Sequence, residues 1–169
     1  MSNKRVFFAL WPDHDQRERL RDIINSVART VEGRAVDRRD WHVTLLYIGE
    51  LPEEQLPDLL QRASQIQVEP FHLSFDRLEF WARPKIACLM ASTVPVELQS
   101  LIDTLSGITL DFGVMPEDRT YRPHITVVKN ARTFTTERLA QRATTEWSGF
   151  ELVESISGPG GVTYRPLKQ

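Results

Sequence analysis

The chain has one cysteine, Cys88, among 169 residues. A single thiol excludes an internal disulfide framework and any cysteine-based zinc cluster. Long apolar runs are also missing. The run Val6 to Trp11 near the N-terminus is too short for the core of a signal peptide and far too short to span a bilayer. The expected setting is therefore cytoplasmic, without membrane contact. Nor is there an excess of one charge: 21 basic against 23 acidic residues leave a net charge of −2. That balance excludes wholesale electrostatic capture of nucleic acid but leaves room for a local basic patch. Histidine is scarce, at four residues. The rest is ordinary. Hydrophobic residues make up 41% and charged residues 26%, which excludes a disordered or fibrous chain. The length suits one domain over residues 1–169, or two lobes sharing one core.

Periodicity supplies the elements. Val6-Phe7-Phe8-Ala9-Leu10-Trp11 is β-prone and stopped by Pro12, which predicts a buried strand. Leu20, Ile23, Ile24, Val27, Ala28 and Val31 mark the apolar face of a helix capped by Asp13 or Asp15, with Gly33 as its stop. Leu56 to Ile66 and Leu98 to Ile108 repeat the helical spacing. Further strands are predicted at His42 to Ile48, at Phe71 to Phe80 with a phase change near Asp76 and Arg77, at Ile86 to Ala91 and at Pro123 to Val128. Glu137 to Thr145 reads as a short helix, and Glu151 to Ile156 and Gly161 to Tyr164 as two weaker strands. The sum is an α+β chain with three amphipathic helices, about seven strands in largely antiparallel sheets, and helices on the outer faces.

Two of the four histidines sit in matching surroundings. His42-Val43-Thr44-Leu45 and His124-Ile125-Thr126-Val127 both read His, β-branched apolar, Thr, apolar, about half a chain apart. Each follows a helix and an arginine-bearing loop, as in a two-fold internal pseudo-repeat. Side chains alternate across a strand, so each histidine shares a face with its threonine while the apolar residues turn to the core. If the strands are symmetry mates, two imidazoles and two hydroxyls converge on one cleft.

That set suits phosphodiester chemistry. A neutral imidazole takes a proton from attacking water and a protonated one gives a proton to the leaving alkoxide. An ordinary histidine pKa near ~6.5 makes both states accessible at neutral pH. The threonine hydroxyls can donate to the non-bridging phosphate oxygens. The scheme needs no metal and no cofactor. Neither motif supplies a second histidine for a metal site.

With Arg5 to Leu10, Trp41 to Leu45 leading to Ile48-Gly49-Glu50, and Arg122 to Val127, these motifs resemble the 2H phosphoesterase superfamily. They are most similar to its bacterial branch, the RNA 2′,3′-cyclic phosphodiesterases, also called 2′-5′ RNA ligases. The resemblance covers nearly the whole chain. It implies a bilobal pseudo-two-fold fold of two sheets around a central cleft. It implies opening of a 2′,3′-cyclic phosphate on an RNA end to a 2′-phosphate, with a weak ATP-independent 2′-5′ joining as the reverse. It makes His42 the proton donor, His124 the proton acceptor, and Thr44 and Thr126 the phosphate binders. Where relatives often carry an arginine after the second motif, this chain has Lys129, a cation without the forked geometry.

Around the motifs, Arg39, Arg119, Arg122 and Lys129 are candidate contacts to RNA phosphates, alongside Arg34 and Arg38. Phe7 or Phe8, Trp81 and Tyr121 are candidate platforms for a terminal base, Phe8 and Tyr121 first among them, and only one of the two phenylalanines can face the cleft. His14 and His72 read as surface residues and Cys88 as core. The expected partner is an RNA end bearing a cyclic phosphate, such as a tRNA fragment, bound by a monomer. Two alternatives stay open: a phosphodiesterase for a small cyclic nucleotide such as ADP-ribose cyclic phosphate, and a non-catalytic module that grips RNA ends.

Overall fold

The structure is a computed structural model and describes residues 2–167. Its strands are β1 (Asn3–Leu10), β2 (Arg34–Ala35), β3 (Val43–Pro52), β4 (Phe71–Trp81), β5 (Ile86–Met90), β6 (His124–Lys129), β7 (Glu137–Trp147), β8 (Glu151–Gly158) and β9 (Gly161–Leu167). The helices are α1 (His14–Ala28), α2 (Leu56–Ser64) and α3 (Val96–Leu110). Asp13 caps α1 through a reciprocal pair: its side chain accepts from the Gln16 amide at 2.8 Å, and the Gln16 side chain accepts from the Asp13 amide at 2.7 Å. Among the described residues, no helix is long and apolar enough to cross a membrane.

The strands run in the order β7-β4-β5-β6-β3-β1-β8-β9, with β2 pairing β6, and every pairing is antiparallel. The two expected sheets are thus the wings of one hydrogen-bonded network. The wings join through a single registered pair, Val43 with Ile125. Leu10, Val43, Ile125, Leu89 and Leu78 form one row of cross-strand partners over this waist, and none is more than 1% exposed. Burying such a row costs no polar group and anchors the register, since a one-residue slip would turn it to solvent.

The helices pack against this apolar face, and they change wings. α1 leaves the wing of β1 and packs on β6 and β7; α3 leaves the wing of β5 and packs on β3 and α2. The opposite face carries the cleft.

Three expectations need correction. The segment Glu137 to Thr145 is strand and not helix. Ala143, Thr145 and Trp147 alternate inward and pair with Phe75, Leu73 and Phe71, and this long-range pairing overrides the local helix formers Leu139, Ala140 and Gln141. The first helix ends at Ala28, so Gly33 is not its stop. Gly33 instead has φ +153°, and a Cβ there would lie 2.6 Å from Val128 Cγ1 and 2.8 Å from the Lys129 carbonyl oxygen. Only glycine lets the chain pass this close to β6. Among the described residues the strands number nine, because β2 and β7 add to the seven expected. The phase change in β4 is present as a register shift between Phe75 and Arg77.

Candidate active site

His42 precedes β3 directly and His124 opens β6. Because Val43 faces Ile125 in an antiparallel pair, one step either way sets His42 across from Thr126 and Thr44 across from His124. The two histidines are then diagonal neighbours, with backbones ~7–8 Å apart. All four side chains are half-buried on the cleft face, while Val43, Leu45, Ile125 and Val127 are buried on the other. The structure therefore brings the two motifs side by side.

Both imidazoles are held in the same way. Nδ1 of His42 lies 2.7 Å from the Asp40 carbonyl oxygen, and Nδ1 of His124 lies 2.8 Å from that of Arg122. A carbonyl oxygen can only accept, so each Nδ1 carries the proton and each Nε2 is left for the cleft. The tautomer is set twice, by the same bond to the residue two positions back.

The surroundings differ. His42 packs against Phe7 at 5.2 Å, Trp11 at 5.4 Å in a stacked arrangement, and Tyr164 at 5.2 Å between ring centroids. Burial among these rings pushes its pKa down to about 4. His124 has one aromatic neighbour, Trp81, at 4.3 Å. Burial also lowers its pKa, the Arg122 charge adds to that, and the Glu79 carboxylate opposes it. Glu79 is a buried acid whose Oε1 accepts from Arg122 at 2.6 Å and from the Trp81 indole at 3.1 Å. The Arg122 guanidinium lies over the Trp81 ring at 5.3 Å. Trp81 and Arg122 thus form one plate behind His124, pinned by a single carboxylate oxygen.

Lys129 reaches the cleft through a bulge. Strict alternation from His124 and Thr126 would turn residue 129 to the core. Between β5 and β6 the register shifts, so that Cys88 faces Thr126 but Ala87 faces Val128. The extra residue keeps Val127 and Val128 both buried and returns Lys129 to the cleft face. Its Nζ lies 5.8 Å from the centre of the Tyr164 ring, beside His42.

Other candidates land differently. Phe8 belongs to the core and not to the cleft: it is fully buried and packs against Phe150 at 5.6 Å, because alternation along β1 gives Phe7 and Ala9 to the cleft face and Val6, Phe8 and Leu10 to the core. Tyr121 is a strut and not an open platform. Its hydroxyl donates to the Thr44 carbonyl oxygen at 2.8 Å and its ring packs on the core, with burial pushing the phenol pKa up. Arg39 turns out to Asp37 at 3.0 Å and Arg119 to Glu117 at 3.6 Å, and neither meets a histidine. Arg122 and Lys129 both flank the site. His72 pairs loosely with Glu146 on an exposed edge, and burial pushes the Cys88 thiol up to about 12.

Sequence reasoning missed Trp11, Tyr164 and Glu79. Trp11 was within reach, since Phe7, Ala9 and Trp11 continue one alternation. Tyr164 had no local signal, because its place beside His42 depends on the β8–β9 hairpin folding against β1.

Comparison with known proteins agrees with this architecture. The family model described as LigT like Phosphoesterase matches residues 10–88. The RNA 2′,3′-cyclic phosphodiesterase of Archaeoglobus fulgidus is 27% identical, over 97% of this chain and 98% of its own length. The protein of the same name from Escherichia coli is also 27% identical, over 98% and 95%. The crystal structure of E. coli LigT complexed with 3′-AMP superposes with a TM-score of 0.84 at 26% identity, covering 99% of this chain and 97% of that one. Fold and paired motifs define the class, a phosphoesterase of the 2H superfamily. Within it, the chain belongs to the LigT-like phosphoesterase family.

Proposed function

We propose that the protein hydrolyses RNA 2′,3′-cyclic phosphate ends to 2′-phosphates without a metal. One observation carries this reading above the others. Two imidazoles with identically fixed tautomers present Nε2 to one cleft face beside two threonines, in a chain whose relatives bear that activity in their names. His124 Nε2 takes a proton from water as the water attacks phosphorus in line. His42 Nε2 gives a proton to the departing 3′ oxygen, and the P–O3′ bond breaks. Thr44 and Thr126 donate to the non-bridging oxygens, where charge gathers. Lys129 adds a positive charge on the His42 side. With a 5′ hydroxyl in place of water as the attacking group, the same steps join ends through a 2′-5′ linkage without ATP: the P–O5′ bond forms as the P–O3′ bond breaks.

His42 is neutral in the free protein at pH 7, and a donor must be protonated. The substrate itself supplies the correction. An anionic phosphate beside the ring favours imidazolium, and the Nδ1–H bond to the Asp40 carbonyl favours it further. The donor is charged by the ligand it serves.

The direct test is incubation with an RNA ending in a 2′,3′-cyclic phosphate, followed by assignment of the product phosphate. A 2′-phosphate is expected, with turnover unaffected by chelator; a 3′-phosphate or chelator-sensitive turnover refutes the mechanism. An aryl phosphodiester whose leaving group needs no proton separates the roles. It should restore turnover to His42→Ala and not to His124→Ala.

A further inference from the structure

The cleft face extends beyond the histidines along the wing of β5, β4 and β7. There, Met90 lies opposite His124, Arg77 opposite Met90, and Arg138 opposite Arg77. Cross-strand partners share a face, so this row carries two guanidinium groups outward from the site. Leu78, next to Arg77, is buried on the core side, which fixes the facing of the row. Like charges directly opposite each other destabilise a ladder. Among the described residues no carboxylate lies within ion-pair distance of either arginine. Glu79, two residues beyond Arg77 in β4, is already taken by Arg122, and Asp76, just before Arg77, accepts from the backbone and hydroxyl of Ser92. A protein that sets two unneutralised arginines side by side beside a phosphate-handling site has kept charge there for an anion.

The spacing indicates which anion. At ~4.8 Å per strand, the backbone of Arg77 is about 10 Å from that of His124 and Arg138 about 15 Å. At a rise of ~3.4 Å per nucleotide in a stacked strand, this places Arg77 roughly three nucleotides from the reacting end. We propose that Arg77 and Arg138 form a track for the backbone phosphates upstream of the terminal nucleotide, so that the protein takes single-stranded RNA ends in preference to free cyclic nucleotides. The inference rests on the cyclic phosphodiesterase reading and selects its substrate class. It is compatible with the net charge of −2, because the track needs only two local cations.

The test compares two substrates on the full chain: adenosine 2′,3′-cyclic phosphate, too short to reach Arg77, and tetraadenylate ending in a 2′,3′-cyclic phosphate. In Arg77→Gln and Arg138→Glu, KM for tetraadenylate should rise about three- to tenfold, as expected when one arginine no longer meets its phosphate. KM for the mononucleotide and kcat for both should stay at the wild-type values, and Arg77→Lys should restore most of the affinity. An equal change for both substrates, or none for either, overturns the track. Binding of fluorescent tetraadenylate with a 3′-phosphate reads the track without turnover. The slope of log K against log salt should fall by about 0.7 per arginine removed, and an unchanged slope overturns the proposal. A wild-type protein that shows this slope dependence but hydrolyses neither substrate counts against the hydrolytic reading alone. Displacement of the oligonucleotide by polyglutamate as readily as by polyadenylate overturns the assignment to RNA.

Discussion

The half of the cleft around His42 and the half around His124 share a backbone design and little else. Both offer a His-x-Thr strand, a carbonyl two residues back, and an Nε2 facing the same space. Around His42 the protein has placed hydrocarbon: Phe7, Trp11 and Tyr164, with Lys129 as the nearby cation. Around His124 it has placed charge: the Glu79–Arg122 pair with Trp81 between. The backbone geometry thus repeats while the packing does not, and under the proposed mechanism that difference falls where protons must move in opposite directions. Water and alkoxide need different partners, and identical imidazoles become different through what packs on them.

Removing either imidazole tests the comparison most severely. His42→Ala and His124→Ala should each lose about 10²–10⁴-fold in kcat while remaining folded by circular dichroism. Wild-type turnover in either variant would end the two-imidazole scheme. Glu79→Ala is the next probe, because it frees both Arg122 and Trp81 and so loosens His124 alone. A loss of up to about 10²-fold in kcat is expected from misplacing a reacting group. NMR titration should show the His124 pKa falling, since the opposing carboxylate is gone, and the His42 resonance unmoved. Glu79→Gln still accepts from the indole and should lie between wild type and Ala.

Trp11→Ala addresses the other half. Opening the aromatic box hydrates His42, and its pKa should climb from about 4 toward the ordinary value. A His42 signal that does not move would show that the stacked ring is not what desolvates it.

A milder signature needs no mutation. Burial lowers both histidine pKa values in the free protein, so the optimum of kcat/KM should lie on the acid side of the ordinary histidine value. A bound phosphate raises both, so the optimum of kcat should lie at higher pH. Coincident optima would mean that the ligand's charge does not reach the rings. The smallest effect is expected at Arg39, whose guanidinium is spent on Asp37 at the surface. Arg39→Ala should leave kcat and KM within about twofold, in line with exposed ion pairs.

Much of this was legible in the chain. The histidine–threonine faces follow from strand alternation, and three helices follow from their apolar spacing. What could not be read is what long-range pairing decides. Glu137 to Thr145 looks helical until β4 lies beside it. Lys129 points to the core by local counting and reaches the cleft because one extra residue sits in β6. Tyr164 reaches His42 through two successive strand pairings, the long-range β1–β8 pair and the β8–β9 hairpin, and Phe8 is separated from Phe7 only by knowing which face the helices cover.

The crossing of α1 and α3 between the wings has a consequence for dividing the molecule. Each half of the chain keeps part of its partner's roof: the first lends α1 to the far wing, and the second lends α3, β8 and β9 to the near one. Neither half can close its own apolar face. Cut within the loop before β4 and made as two polypeptides, the halves should be insoluble alone and regain a working cleft only when refolded together.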